Sequence, residues 1–366
     1  MMTRAEVISW LRETDPARLE DLWACSDGMR QRHVGDEVHR RGLIEISSYC
    51  VRSCCYCGLR AGNIKASRYR MSDVEIWDAV KMAADFSYGT VVLQSGEDPG
   101  LKTDRVASLV RRIKSETPLA VTLSLGEREP DELRAWREAG ADRYLLRFET
   151  SDLKLFRAIH PDLPGRRSDR LAQLEVMRSL GYEVGSGVMV GIPGQSFASL
   201  AGDLRVFKDL DLDMIGVGPY LPHPETPLGS GWKPRALRSG EQVPVTAEMT
   251  CKVMALTRLL CPDSNIPSTT ALATIDPERG RELGLLRGAN VVMPNLTPLR
   301  YRAAYEIYPG KVCIAESATD CHGCLERRIR ALGRRPGKAQ GGRRRGPIGE
   351  AEILRRSHGE GVLDRR

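Results

Sequence analysis

The chain has 366 residues, 41% hydrophobic and 28% charged, a balance that fits a soluble globular protein and excludes an intrinsically disordered one. Its formal net charge of +7 lies largely in RRIRALGRRPGKAQGGRRRGP (327–347) and onward, which leaves the rest of the chain close to neutral and argues against a nucleic-acid-binding surface on the folded part. No apolar run reaches the roughly 18 residues of a membrane span, and the N-terminus MMTRAEVISWLRETDPARLEDLW lacks the apolar core of a signal peptide. Both point to the cytoplasm, where clustered cysteines among the ten present are metal ligands or catalytic groups rather than disulfides.

Three amphipathic helices are expected first, near residues 4–13, 16–25 and 29–40, making an N-terminal unit over 1–42. Eight β-rich runs follow: LIEIS (43–47), TVVLQ (90–94), AVTLSL (120–125), RYLLRF (143–148), EVGSGVMV (183–190), MIGVGP (214–219), IPSTT (266–270) and NVVMP (290–294). They are almost continuously apolar, as parallel strands buried on both faces are. Helical patterns such as SDVEIWDAVKMAADF, DRVASLVRRIKSE and TAEMTCKVMALTRLLC separate them. Strands alternating with helices predict an α/β protein with a (β/α)8 TIM barrel over 43–330, a doubly wound sheet being the alternative. Residues 331–366, rich in Arg, Gly and Pro, read as a disordered basic tail. In a barrel the chemistry belongs at the C-terminal strand ends.

That is where the sequence YCVRSCCYCGLR (49–60) falls, directly after the first run. Cys50, Cys54 and Cys57 have the spacing Cys-x3-Cys-x2-Cys. A closed zinc site wants four N/S ligands, and His33 and His39 lie before the strand, at the opposite end. Three thiolates suit an iron–sulfur cluster that keeps one iron open. Cys55 is read as a free thiol packed as a small hydrophobe.

The spacing, with the aromatic Tyr56 before the last cysteine, resembles the signature of radical S-adenosylmethionine (SAM) enzymes. The resemblance implies a [4Fe–4S] cluster whose unique iron binds SAM, and reductive cleavage of SAM to a 5′-deoxyadenosyl radical. It places the SAM pocket at other strand ends. Gln94-Ser95-Gly96-Glu97 stands where the family has a Gly-Gly-Glu-like turn, with Gly96 able to supply an unusual backbone dihedral. Glu149 and Arg147 in LLRFETSD share one side of their strand, either facing ligand or pairing with each other. Arg170 is the candidate for the SAM carboxylate, with Arg166 and Arg167 as competitors. Met189, Gly191 and Ile192 are expected to wall the adenine, and Gly194 to allow a close backbone approach. Thr122, Ser124, Thr269, Thr270 and Tyr305, with Arg147, suit a small anionic, amino-acid-like substrate; Asn295, Thr297 and Tyr301 lie near them in the sequence. A structural role for the threonines is the alternative.

Longer phrases, including VVLQSGEDP, RFETSDLKLFRAIHP and ANVVMPNLTPLRYRAAYEIYPGK, resemble HydE-type maturases of the [FeFe]-hydrogenase active-site cluster over about residues 40–325. That resemblance implies an Fe(CO)2(CN)-cysteine-type organometallic substrate, other hydrogenase maturases as partners, and a reductant protein such as ferredoxin or flavodoxin. Cys313, Cys321 and Cys324, spaced Cys-x7-Cys-x2-Cys, resemble the auxiliary [2Fe–2S] or [4Fe–4S] site of some members, zinc with His322 being the chemical rival. Biotin synthase keeps auxiliary cysteines in its strands, and none of the eight runs contains one. A methylornithine synthase-like mutase and, from another class, a zinc-stapled nucleic-acid-binding protein are the alternatives. Cys25, Cys251 and Cys261 read as core thiols. Replacing Cys50, Cys54 or Cys57 by Ala is expected to abolish SAM cleavage, while Cys55→Ala keeps it; an inactive Cys55→Ala protein contradicts the assignment.

Overall fold

The computed structural model describes residues 2–345. In chain order its elements are α1 (Arg4–Arg12), α2 (Pro16–Val34), β1 (Glu37–Ser47), α3 (Asp73–Asp85), β2 (Thr90–Ser95), α4 (Thr103–Glu116), β3 (Ala120–Ser124), α5 (Pro130–Glu138), β4 (Arg143–Leu145), α6 (Leu153–Ile159), α7 (Arg170–Ser179) and β5 (Glu183–Val190). There follow α8 (Phe197–Asp209), β6 (Met214–Pro219), α9 (Ala247–Leu260), α10 (Thr270–Ile275), α11 (Gly280–Leu286), β7 (Val291–Val292), α12 (Leu299–Arg302), α13 (Ala318–Ala331) and β8 (Arg335–Gly337).

Thr3 and Glu6 form a capping box that starts α1, and Ser72 and Glu75 form another at α3. The helices expected at 16–25 and 29–40 are corrected. The interior Gly28 costs α2 about 1 kcal/mol, but Leu19, Leu22, Trp23, Ser26 and Arg30 stay buried along its length, so packing carries one helix through to Val34. Residues 37–40 are strand rather than helix, because β7 and β8 pair with β1 there, through His39–Val291 and Glu37–Arg335. Those partners lie more than 250 residues away in the sequence, outside any local pattern.

The strands run parallel in the order β6-β5-β4-β3-β2-β1-β7. Residues 265–268 close the circuit: Ile215 N donates to Asn265 O at 2.9 Å, and Ser268 N to Val291 O at 2.9 Å. This is the seventh run, expected at 266–270, reduced to isolated bridges. Pro267 has no N–H to offer, and Thr269 turns away to cap α10, which Thr270 begins. The result is the expected α/β barrel with one short wall. Helices cover it, and their buried faces, such as Val106, Val110 and Ile113 of α4, pack on the strands.

The basic tail expected from residue 331 is also corrected for its first part. β8 and residues 338–345 form a strap across the N-terminal end of the barrel. Gly341 O accepts from Arg41 Nη2 at 3.0 Å and Asn265 Nδ2 at 3.1 Å. Arg343 pairs with Asp211 and Asp263, each at 2.8 Å, and Arg345 with Asp213 at 2.6 Å. The positive charge that suggested a solvated tail is matched by carboxylates on the barrel's underside. The remainder, 346–366, lies outside the described residues. Among those described, no helix is long and apolar enough to cross a membrane.

At Gly187, β5 and β6 approach so closely that a Cβ would lie 2.0 Å from Gly216 O. Gly187→Ala must therefore spread these strands, and a loss of about 2–3 kcal/mol is expected, measured as a lower urea midpoint with unchanged m-value.

Candidate active site

The C-terminal strand ends surround a cavity of about 350 Å3. β1 delivers the chain to its rim, and the long loop up to α3 is then pinned by its own backbone. Val51 N donates to Glu97 O at 3.0 Å, Cys55 N to Ile159 O at 2.8 Å and Gly58 N to Ile307 O at 2.9 Å. Cys50, Cys54 and Cys57 line the cavity. Cys55 does not: it packs with Leu155, Ile159, Met189 and Leu228 in a separate apolar cluster. Burial pushes all three cavity thiols up, Cys57 to about 12. A bound cation reverses that preference, since the thiolate is the ligand form.

Gly96 is required for a different reason from the one expected. Its backbone does not adopt a positive φ; instead a Cβ there would meet Tyr49 O at 2.4 Å and Cys50 Cβ at 2.6 Å. The missing side chain lets the first cysteine sit against the β2 turn. Gln94, Ser95 and Glu97 line the cavity beside it.

Behind the cysteines lies a charged cluster of which the sequence reading found only Glu97 and Arg170. Arg52 Nε donates to Glu97 Oε2 at 2.6 Å, and its Nη2 lies 2.8 Å from Glu127 Oε2. Glu127 Oε1 accepts from Arg170 Nε at 3.1 Å and from Ser168, and lies 3.3 Å from His160 Nε2. His160 Nδ1 sits 3.1 Å from Cys54 Sγ and 3.2 Å from Tyr56 Oη. Burial opposes ionisation of Glu127, but His160, Arg170, Ser168 and Arg52 hold its carboxyl at about 2. Burial, with Arg170 nearby, pushes His160 down to about 4, so its ring is neutral near pH 7. Of the three candidate arginines, only Arg170 lines the cavity; Arg166 pairs with Glu129 at 3.3 Å. Burial by itself would lower the Arg170 pKa, yet Tyr56, Glu127 and Glu97 raise it. Glu127 follows strand β3, so the strand-end rule that flagged Glu97 and Glu149 reaches it as well.

Arg147 and Glu149 pair at 3.3 Å, as the alternative reading had it. Even so, Arg147 Nε has no hydrogen-bond partner, and Glu149 holds a strained φ of 63°. Thr122, Ser124, Thr269, Thr270, Tyr305, Tyr56 and Met189 line the same cavity. Thr269 Oγ1 also donates to Val217 O at 3.1 Å, and Tyr305 Oη accepts from Gln94 Nε2 at 3.2 Å. Ile192 is corrected: it is buried in the apolar cluster behind Met189 and does not reach the cavity wall. Gly194 approaches Arg235 and Pro234 instead of the cavity; Asn295, Thr297 and Tyr301 do not line it, Asn295 and Thr297 hydrogen-bonding Glu45 from behind and Tyr301 bonding Glu75. Missed altogether were Arg41, Glu45 and Lys311, which line the cavity, Lys311 paired with Glu45 and over the Tyr305 ring. A lone Lys in a loop carries no pattern of its own.

Unpartnered buried polar atoms gather in this cavity: Glu97 Oε1, Thr122 Oγ1, Arg147 Nε and Tyr220 Oη. Leaving such atoms unpaired costs about 1–3 kcal/mol each. Three sulfur donors and polar atoms of both signs therefore fit a thiolate-held cluster together with a zwitterionic ligand.

At the other cysteine group, Cys313, Glu316 and Cys321 bring ligand atoms within 4.8 Å of one another. Arg281 Nη2 lies 3.1 Å from Cys313 Sγ, and Cys321 and Arg281 bring the Cys313 thiol down to about 6. Cys324 is exposed and stands outside the group. His322 stacks on Phe86 at 4.4 Å and meets Tyr88 Oη, so the zinc set with His322 is not assembled. Cys251 and Cys261 are buried thiols, but Cys25 is exposed, contrary to expectation, on the solvent side of α2.

The Radical SAM superfamily model matches residues 44–207. The [FeFe] hydrogenase maturase subunit HydE of Thermotoga maritima is 48% identical over 326 residues, 89% of each chain. The 3-methylornithine synthase of Methanosarcina acetivorans is 29% identical over 79% of each chain. Among solved structures, methylornithine synthase (PylB) matches at TM-score 0.75 and 24% identity, covering 92% of this chain and 94% of that one. HydG, a maturase of the [FeFe]-hydrogenase, matches at TM-score 0.74 and 18% identity, covering 92% and 73%; both show a shared fold. The cysteine spacing, the barrel and this identity over nearly the whole chain agree: the chain belongs to the radical SAM superfamily, within the HydE family of [FeFe]-hydrogenase maturases.

Proposed function

We propose that this protein acts in building the active-site cluster of an [FeFe]-hydrogenase, working on a small Fe(CO)2(CN)-cysteine-type complex supplied by another maturase. The observation that carries the reading is the cavity itself, where three thiols, unpartnered polar atoms and a ring of hydroxyls meet. When bound, a [4Fe–4S] cluster and SAM supply one-electron reductive cleavage to a 5′-deoxyadenosyl radical. Cys50, Cys54 and Cys57 would hold the cluster. Arg170, kept in place by Glu127 and Arg147 O, would take the SAM carboxylate. Glu97 and Glu149 would take cationic or hydroxyl groups, with Tyr56, Gln94, Ser95 and Met189 alongside.

The substrate would sit deeper, against Thr122, Ser124, Thr269, Thr270 and Tyr305. Arg147 and Lys311 would answer its negative charge. Leu43, Val92, Leu145 and Ile215 add apolar lining that would help to exclude water once ligands fill the space. Two sulfurs and a carboxylate at Cys313, Cys321 and Glu316 would serve as an auxiliary metal site, not required for the radical step.

The deciding experiment is SAM cleavage in a complete hydrogenase-maturation assay, run anaerobically with and without this protein. Hydrogenase activity is expected only with it, and conversion of lysine to methylornithine instead would replace the reading by the mutase one. Arg170→Gln leaves Glu97 and Glu127 short of a partner and removes a carboxylate donor. A tenfold to hundredfold weaker SAM affinity is expected, on the order of 1.5–3 kcal/mol for a charged hydrogen bond, measured by titration of the reconstituted protein; unchanged affinity would reassign the carboxylate site.

A further inference from the structure

From Ile46 to Ser72, the stretch holding the cluster cysteines contains five cations, Arg52, Arg60, Lys65, Arg68 and Arg70, and no acid. Three are matched elsewhere: Arg52 by Glu97 and Glu127, Arg70 by Asp98 and Lys65 by Glu225. Arg60 and Arg68 have no ion pair among the described residues. Their guanidinium groups rest on backbone carbonyls. Arg60 Nε meets Cys54 O at 3.2 Å, and Arg68 Nη1 meets Ser48 O at 2.6 Å and Leu59 O at 2.8 Å.

The same stretch exposes apolar side chains. Ile64 is 94% exposed, the highest value among the exposed large hydrophobics of the described residues. Tyr49 and Val51, at 37% and 39%, flank Cys50 on either side. Exposed apolar side chains on a segment that carries cations and no acid are the make-up of a recognition surface. Here they lie on the segment whose inner side carries the thiols.

We infer that this loop is the docking surface for an acidic, one-electron carrier protein. Negative charge on the partner is the complement of the unpaired Arg60 and Arg68, and steering by such charge raises encounter rates without a large buried area. Ile64 supplies a small apolar anchor for a transient contact. The location favours an electron carrier over a partner that delivers substrate, because electron tunnelling falls steeply with distance and Arg60 is bonded to the backbone carbonyl of Cys54 itself. One electron leaves the carrier's reduced cofactor and enters the cluster of the loaded enzyme, with no bond made or broken at the surface.

This rests on the reading of the site as reductively driven, and the test separates the two. Reconstituted protein is given SAM and either dithionite or an acidic flavodoxin in its hydroquinone form, and 5′-deoxyadenosine is followed. Ile64→Asp and Lys65→Glu, both outside the cavity, are expected to raise the half-saturating flavodoxin concentration about fivefold or more while the dithionite rate stays at wild type. Added salt is expected to weaken the flavodoxin-driven reaction of the wild type more than that of Lys65→Glu. Wild-type half-saturation in both variants, or an equal loss with dithionite, would overturn the docking surface. A wild-type protein inert even with dithionite would instead remove the radical SAM reading beneath it.

Discussion

One buried carboxylate organises the site. Glu127, 3% exposed, is met by two arginines, a serine hydroxyl and an imidazole. Each of those partners reaches something else: Arg52 belongs to the cysteine loop, Arg170 opens α7, and His160 touches both Cys54 and Tyr56. A charge so far from water persists only when fully paired. The pairing therefore ties together three stretches distant in sequence: the cysteine loop at Arg52, the end of β3 at Glu127, and residues 160–170. Remove the carboxylate and two buried cations lose their reason to be there.

Around that hub the cavity is built with surplus polarity. A protein core normally satisfies nearly every buried donor and acceptor, yet several atoms of the residues lining this cavity stay unpaired. Arg170 shows the division: Nε and Nη1 go to Glu127 and Arg147 O, and Nη2 has only a 3.6 Å contact with Glu97. Stability is given up locally where ligand atoms make up the difference. Apolar side chains are interleaved with these polar ones: Leu43 and Val92 lie in register with Thr122 on adjacent strands.

How much of this the sequence announces depends on the range over which the physics acts. The cysteine spacing is local, and the loop folds as its spacing suggests. Strand-end residues Gln94, Glu97, Thr122 and Glu149 are legible because parallel barrels put their chemistry at those ends. Arg52 and Glu127 are hidden because their meaning lies in each other, 75 positions apart. The short wall at 265–268 defeats a propensity reading, since Thr269 and Thr270 are good strand formers used instead to start a helix. The strap at 338–345 misleads for the same reason: its arginines look solvated until Asp211, Asp213 and Asp263 are brought beneath them.

That strap sets an order of events. β1 is made early, but its second edge is completed only by β7 and β8, close to the end of the described chain. During synthesis the cysteine loop therefore hangs from a strand with one unsatisfied edge until residues 291–337 have left the ribosome. Such distant pairing slows folding and prolongs exposure of unpaired strand. The loop that carries Cys50, Cys54 and Cys57 therefore takes its final place only after an edge made more than 250 residues later has closed beside it.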